Sequence, residues 1–267
     1  MVATQLQKGE AFRELHLGEP FIIPNPWDAG SAKVFAGLGF KALATTSAGF
    51  AFTLGRLDGQ ETLDELVDHV RVLDEATSLP VSVDLENGFG PAPADAAQAV
   101  TRVAEAGAVG GSIEDYDPDD GIYEIDYAAE RIAAAREAAD RLGFPFTLTG
   151  RAENHFRLKD PDLDDTIARL QAYERAGADV LYAPALRTVE EIRAVSEATS
   201  KPLNVLARRQ LSMSEIVAAG GHRISVGSWL TMLSVDAVVE AAKAMRDAGD
   251  FSSLRGAPAE LNEWLGR

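Results

Sequence analysis

The run VDLENGFG, from Val83 to Gly90, ends an apolar stretch in two carboxylates, Asp84 and Glu86. Two residues apart on an extended chain, they project from one face. Two negative charges buried side by side are costly unless a cation or a shared proton compensates them. The pattern points to a metal site. A third acid, Glu114 of GGSIED, closes another apolar run, and no histidine or cysteine stands among the three. An all-oxygen set suits Mg²⁺ or Mn²⁺ better than zinc. Because Mg²⁺ keeps several waters, one carboxylate is expected to ligate directly and the others through water. The bland alternative is that these acids only cap or salt-bridge their surroundings.

Arg151, in FTLTGRAEN, also follows an apolar run, and its planar fork suits an anionic ligand held bidentately. It could instead simply pair with Glu153 or Glu114. The turn Thr46-Ser47-Ala48-Gly49 offers hydroxyls and approachable backbone N–H groups, a cradle for a carboxylate. Asn204 and Arg208 stand at the end of a further apolar run. His155, next to Asn154, is able to titrate near neutrality and reads either as an acid or base or as a solvated loop residue.

These residues are positioned by a regular alternation. Short β-rich runs fall at Phe21–Asn25, Lys41–Ser47, Pro80–Glu86, Gly110–Asp115, Phe146–Ala152, Asp179–Pro184, Leu203–Ala207 and Arg223–Ser228. Between them lie helical patterns with apolar residues three and four apart, such as those starting at Thr62 and Asp126. Gly39, Gly107, Gly177 and Gly220 each punctuate a helix end before a strand. Eight nearly continuous apolar strands, each followed by a helix, predict a (β/α)8 TIM-type barrel. An open doubly wound sheet would show a glycine-rich turn after its first strand, where PNPWDAGSA stands instead. Every polar group named above then falls at the C-terminal rim of the strands, where the chemistry of such barrels sits. The barrel is expected to occupy 1–267 as one domain. Two C-terminal helices within 235–267 are expected to join an oligomer contact.

The chain has 267 residues, 46% of them hydrophobic, and a formal charge of −17. That charge argues against nucleic acid or an anionic membrane as partner. The absence of cysteine excludes disulfides and thiol catalysis. No apolar run reaches the ~18 residues of a membrane span. The start, MVATQLQKGEAFRELH, reads as an amphipathic helix and not as a secretion signal, so a cytoplasmic protein is expected.

PNPWDAGSA, TTSAGFAFTLGRLDG, VDLENGFG, GGSIED and GRAEN, in this order, resemble the isocitrate lyase and phosphoenolpyruvate mutase superfamily over nearly the whole chain. The resemblance implies a barrel whose eighth helix is exchanged between subunits of a homo-oligomer, a dimer or tetramer. It implies Mg²⁺ (or Mn²⁺) held by Asp84, Glu86 and Glu114, with Asp58 joining through water. Arg151 and the turn Thr46, Ser47, Ala48 would receive a substrate carboxylate, with Glu153, matching a mutase glutamate, and Asn204 also at the substrate. Asp58, Glu114 and Arg151 would carry the catalysis.

The departures lie in one loop. The lyases carry a Lys-Lys-Cys-Gly-His signature after the fourth strand and the phosphonate-forming mutases a lysine and an asparagine; here the region reads EDYDPDDGIYEIDYAAE. A lyase glutamate at the end of the sixth strand is replaced by Tyr182-Ala183-Pro184. The retained half suits a Mg²⁺-dependent carbon–carbon lyase or decarboxylase of a 2-oxo or 2-hydroxy acid, because CO2 leaves without a general acid. A phosphonomutase and a 2-oxo-acid binder with little catalysis are the alternatives.

Overall fold

A computed structural model describes residues 3–266. Its barrel strands are β1 (Phe21–Ile23), β2 (Leu43–Ala44), β3 (Val81–Asp84) and β4 (Gly110–Glu114), then β7 (Thr147–Arg151), β8 (Val180–Tyr182), β9 (Leu203–Leu206) and β10 (Gly221–Ser225). They form one parallel sheet in the order β1-β10-β9-β8-β7-β4-β3-β2. Its two end strands meet where Ala44 N donates to Pro24 O at 3.1 Å, so the sheet closes nearly into a cylinder. The TIM-type barrel expected from the alternation is present.

Asn25 secures that seam. Its Nδ2 donates to Thr45 O at 2.9 Å, while its Oδ1 accepts from Val226 N and Gly227 N, both at 2.9 Å. One buried amide therefore ties the ends of β1, β2 and β10 together. Around the cylinder, Thr62, Thr188 and Ser212 start helices with capping boxes completed by Glu65, Glu191 and Glu215. Gly39, Gly107, Gly177 and Gly220 all adopt left-handed backbone just after the helices Ala29–Gly37, Pro93–Glu105, Leu163–Arg175 and Met213–Ala218 stop.

All eight predicted strands exist, each shorter than its apolar run. The largest difference falls at Lys41–Ser47, where the strand is only Leu43–Ala44 and Ser47–Thr53 is helical. Thr46 causes the switch, since its hydroxyl accepts from Gly49 N and caps that helix. Two short strands, β5 (Tyr116–Asp117) and β6 (Gly121–Ile122), form a hairpin absent from the sequence reading. Asp117 organises it by accepting from the N–H groups of Asp119 and Asp120 and from Tyr123 Oη and Asn87 Nδ2.

The N-terminal helix, Gln5–Leu17, closes the opposite end of the barrel with the fully buried Phe12. Phe12 packs with Phe21, Ile23, Ala42 and Val109. Gly110 allows this approach, because a Cβ there would lie 2.8 Å from the Phe12 ring. His16, a residue without signal in the sequence, is buried beside it and held neutral, its pKa pushed down to about 3 by burial and by Arg223.

The tail differs from expectation in its start. One helix runs Trp229–Ala248, beginning before position 235, and Leu261–Leu265 follows. Only Thr231 of the long helix is buried, and Leu233 and Val238 are more than 60% exposed. Among the described residues no helix is long and apolar enough to cross a membrane.

Replacing Asn25 by Ala strips one buried and two half-buried backbone groups of their partner. This should lower the unfolding free energy by roughly 2–4 kcal/mol, measured by urea denaturation. A loss below ~0.5 kcal/mol would show that the seam holds without it.

Candidate active site

The C-terminal strand ends enclose a cavity of about 620 Å³. Its wall includes Asp58, Glu61, Asp84, Glu86 and Glu114, opposed by Arg151, Arg157 and Arg223, with no lysine or histidine. Five carboxylates face three guanidinium groups.

The strand ends fix the central pair. Asp84 is the last residue of β3, its N–H bonded to Thr45 Oγ1 at 2.8 Å. Arg151 is the last residue of β7, in register with Glu114 of β4. Arg151 Nη1 lies 3.3 Å from Asp84 Oδ1 and 3.3 Å from Glu114 Oε2, and its Nε donates to Glu153 Oε1 at 2.6 Å. The pairing of Arg151 with Glu153 and Glu114 that the sequence left open is real, yet it does not exhaust the side chain. Nη2 makes no hydrogen bond to the described residues and the side chain lines the cavity. Burial works against the Arg151 charge, but Glu114, Glu153 and Asp84 outweigh it and hold the proton on.

Glu86 departs from the extended-strand reading. The strand stops at Asp84, and Glu86 takes a left-handed backbone with φ 48° in a turn closed by Gly88 N to Leu85 O at 2.7 Å. A non-glycine residue held there costs on the order of 1–3 kcal/mol. The turn aims Glu86 at Asp58 and Glu61, and one carboxylate oxygen from each of the three lies within 4.8 Å of the others. The acids most closely grouped are therefore not the expected trio of Asp84, Glu86 and Glu114. Asp84 and Glu114 share Arg151, while among the described residues Asp58, Glu61 and Glu86 have no cationic partner in an ion pair.

The electrostatics follow from this grouping. Burial, then repulsion from Glu61, Asp84, Glu114 and Asp58, pushes the Glu86 carboxyl up to about 9. Asp58 and Glu61 are raised as well, chiefly by burial. Glu114 is pushed up to about 8, burial outweighing the attraction of Arg151. Glu61 Oε2 is buried without a hydrogen bond. Hard oxygen donors that cannot all stay charged, one of them unpartnered, fit a divalent cation such as Mg²⁺.

Thr46, Ser47 and Ala48 line the cavity as expected, but as the start of a helix and not as a strand-end turn. Asn204 also lines it, its Oδ1 accepting from Arg223 Nε at 2.7 Å and its Nδ2 donating to Ser225 Oγ at 3.0 Å. Glu153, expected at the substrate, is fully buried behind Arg151, where it receives Arg151 on one oxygen and Arg157 Nε on the other at 2.9 Å. His155 is neither solvated nor at the cavity; it is buried against Thr166 and Glu191. Asp115, placed at the rim by its position in the chain, is buried beneath it and accepts from Glu153 N, Arg169 and Tyr173.

Glu61, Arg157, Arg223 and Tyr182 also line the wall without having been singled out as site groups from the sequence. Glu61 reads there as an ordinary acid ahead of a helix cap, and Arg157 as part of a charged loop. Arg223 lies in an apolar run. Tyr182 was noted only as a missing glutamate, yet its ring lies under Arg151 and burial pushes its phenol up to about 12, keeping it protonated.

A parallel eight-stranded barrel whose acids and arginines gather at the C-terminal strand ends is the layout of a TIM-barrel enzyme. The chain belongs to the phosphoenolpyruvate phosphomutase family, whose model matches residues 12–246, and thus to the superfamily of lyases and mutases that includes isocitrate lyase. It is similar to the oxaloacetate decarboxylase of Bradyrhizobium sp. (strain BTAi1 / ATCC BAA-1182), with 31% identity over 94% of this chain and 90% of that one. A structure described as a candidate lyase/mutase from Burkholderia cenocepacia J2315 shares 50% identity, covers 98% of this chain and 97% of its own, and superposes with a TM-score of 0.94. Oxaloacetate acetylhydrolase in complex with its product oxalate shares 26% identity over 97% of this chain and 94% of its own, with a TM-score of 0.86.

A carboxyl whose pKa is raised on folding binds its proton more tightly in the folded state, so stability falls as pH rises between the two pKa values. For Glu86 that window runs from its ordinary 4.5 to about 9. In EDTA, the wild type should therefore lose stability relative to Glu86→Gln between pH 5 and 9, and millimolar Mg²⁺ should remove most of the difference. Thermal melts across that range check this; parallel curves for the two proteins in EDTA would refute the assigned environment.

Proposed function

We propose that this protein is a Mg²⁺-dependent lyase that breaks a carbon–carbon bond of a 2-oxo, or 2-hydroxy, carboxylic acid, with decarboxylation the least demanding case. The observation that carries this reading is the juxtaposition of a free Arg151 edge with an acidic group that calls for a cation. Relatives named for oxaloacetate chemistry support it.

In this reading Asp58, Glu61, Asp84 and Glu86 would hold the Mg²⁺. Bound there, the cation supplies positive charge that stabilises an oxygen becoming negative during bond cleavage. Arg151 Nη2 and the residues Thr46, Ser47 and Ala48 receive the substrate carboxylate next to the oxo group. As the bond from C3 to the departing carbon breaks, its electron pair moves toward C2 and its oxygen, and the fixed guanidinium of Arg151 stabilises that charge without reorganising. A departing carboxylate leaves as CO2, with no proton delivered to it. C3 then takes a proton. Tyr123 and His155 stand outside the wall, whereas the protonated Tyr182 is part of it.

The exposed helix Trp229–Ala248 supports a homo-oligomer in which a second copy covers Leu233 and Val238. Sedimentation at micromolar concentration should give a dimer or tetramer, and L233E/V238E should sediment as a monomer. A monomeric wild type would exclude this assembly.

The catalytic reading is tested by proton NMR on a panel of 2-oxo acids, with Mg²⁺ alone as the control. Arg151→Ala and Asp84→Ala should each lower kcat/KM by about 100-fold or more, and phosphonopyruvate should be unchanged by phosphorus NMR. Full activity in either variant would misplace the site.

A further inference from the structure

The segment Glu114 to Glu130 holds no lysine, arginine or histidine that could meet the far end of a substrate. Arg157 reaches that place from beyond β7. It lies in the short helix Asn154–Arg157, and its guanidinium carbon sits 4.1 Å from the centroid of the Tyr116 ring, stacked on the hairpin.

Arg157 is built as half of a pair. Its Nε and the Nε of Arg151 bond opposite oxygens of the fully buried Glu153, at 2.9 and 2.6 Å. The two Nε atoms are thus no more than roughly 8 Å apart, two hydrogen bonds and a carboxylate width. Asp115 accepts from Glu153 N at 2.7 Å, which fixes the shared anchor. Beyond it, each arginine keeps part of its fork. The terminal nitrogens of Arg157 make no hydrogen bond to the described residues, and Nη2 is held only by an ion pair with Glu114 Oε1 at 3.6 Å. About a third of the side chain is exposed, and it lines the same cavity as Arg151.

We infer that Arg157 receives the second carboxylate of a 2-oxo dicarboxylic acid of four or five carbons, and so selects dicarboxylates over monocarboxylates. The inference rests on the proposed function, in which Arg151 takes the carboxylate beside the oxo group. Two guanidinium groups anchored through Nε on one buried anion lie within the span of a short dicarboxylate, Arg151 with Nη2 unbonded among the described residues and Arg157 with its tip held only by the ion pair to Glu114. The contact belongs to the bound substrate: a carboxylate that departs as CO2 gives up its charge, so removing Arg157 should raise KM without lowering kcat.

The test is calorimetric binding to the Mg²⁺-loaded protein of oxaloacetate and 2-oxoglutarate against pyruvate and 2-oxobutyrate, in wild type, Arg157→Gln and Arg157→Lys. The wild type should prefer the dicarboxylates by about 10- to 100-fold, the range of a charge-assisted contact. Arg157→Gln should erase that preference while shifting monocarboxylate binding by less than about threefold, and Arg157→Lys should retain part of it. Equal losses for both classes would make Arg157 a positioning residue acting through Glu153, and would overturn the inference. So would a wild type without preference. A wild type that binds none of the four acids fails differently, since that outcome removes the reading of the whole site.

Discussion

Five carboxylates around one cavity cannot all keep their charge without compensation, and the rim of the barrel is arranged around that constraint. Two of them, Asp84 and Glu114, share one guanidinium fixed at the end of β7, and Glu114 also pairs with Arg157. The other three converge where, among the described residues, no arginine forms an ion pair, and their raised proton affinities express the same shortage in another form. The strained backbone of Glu86 makes sense in these terms. A residue that simply followed the strand would point elsewhere, and its left-handed turn brings the acid to its neighbours at a conformational cost.

Much of this was legible from the amino-acid order because it depends on local rules. Strands covered on both faces must be apolar throughout, so a polar group at the end of such a run stands out, and Asp84, Glu114 and Arg151 were found that way. What escaped depends on partners distant in the chain. Glu153 looks the same in sequence whether it faces the cavity or lies behind Arg151. Only the packing of Tyr173 and Arg169 onto Asp115 decides it, and Gly150 lets their helix, Leu163–Arg175, come close, since a Cβ there would sit 2.8 Å from Tyr173 Cβ. Arg157 was hidden in a charge-rich loop for a similar reason. The extended reading of Asp84 and Glu86 failed because left-handed backbone at a glutamate has no propensity signal.

The division of labour within the barrel explains how relatives named for different reactions share one frame. Groups on strand ends are held by the sheet and change little in position, whereas loop groups can be exchanged without disturbing the cylinder. Here the hairpin after β4 is satisfied internally through Asp117. The cation at that side of the cavity comes from another loop.

Trp229 belongs at once to the cavity wall and to the first turn of a helix that buries almost nothing of its own chain. A second copy covering that helix would therefore lean on a wall of the proposed ligand cavity. By thermodynamic linkage, ligand occupancy and protomer association would then each strengthen or weaken the other by the same factor. Dilution would become an effector of the chemistry.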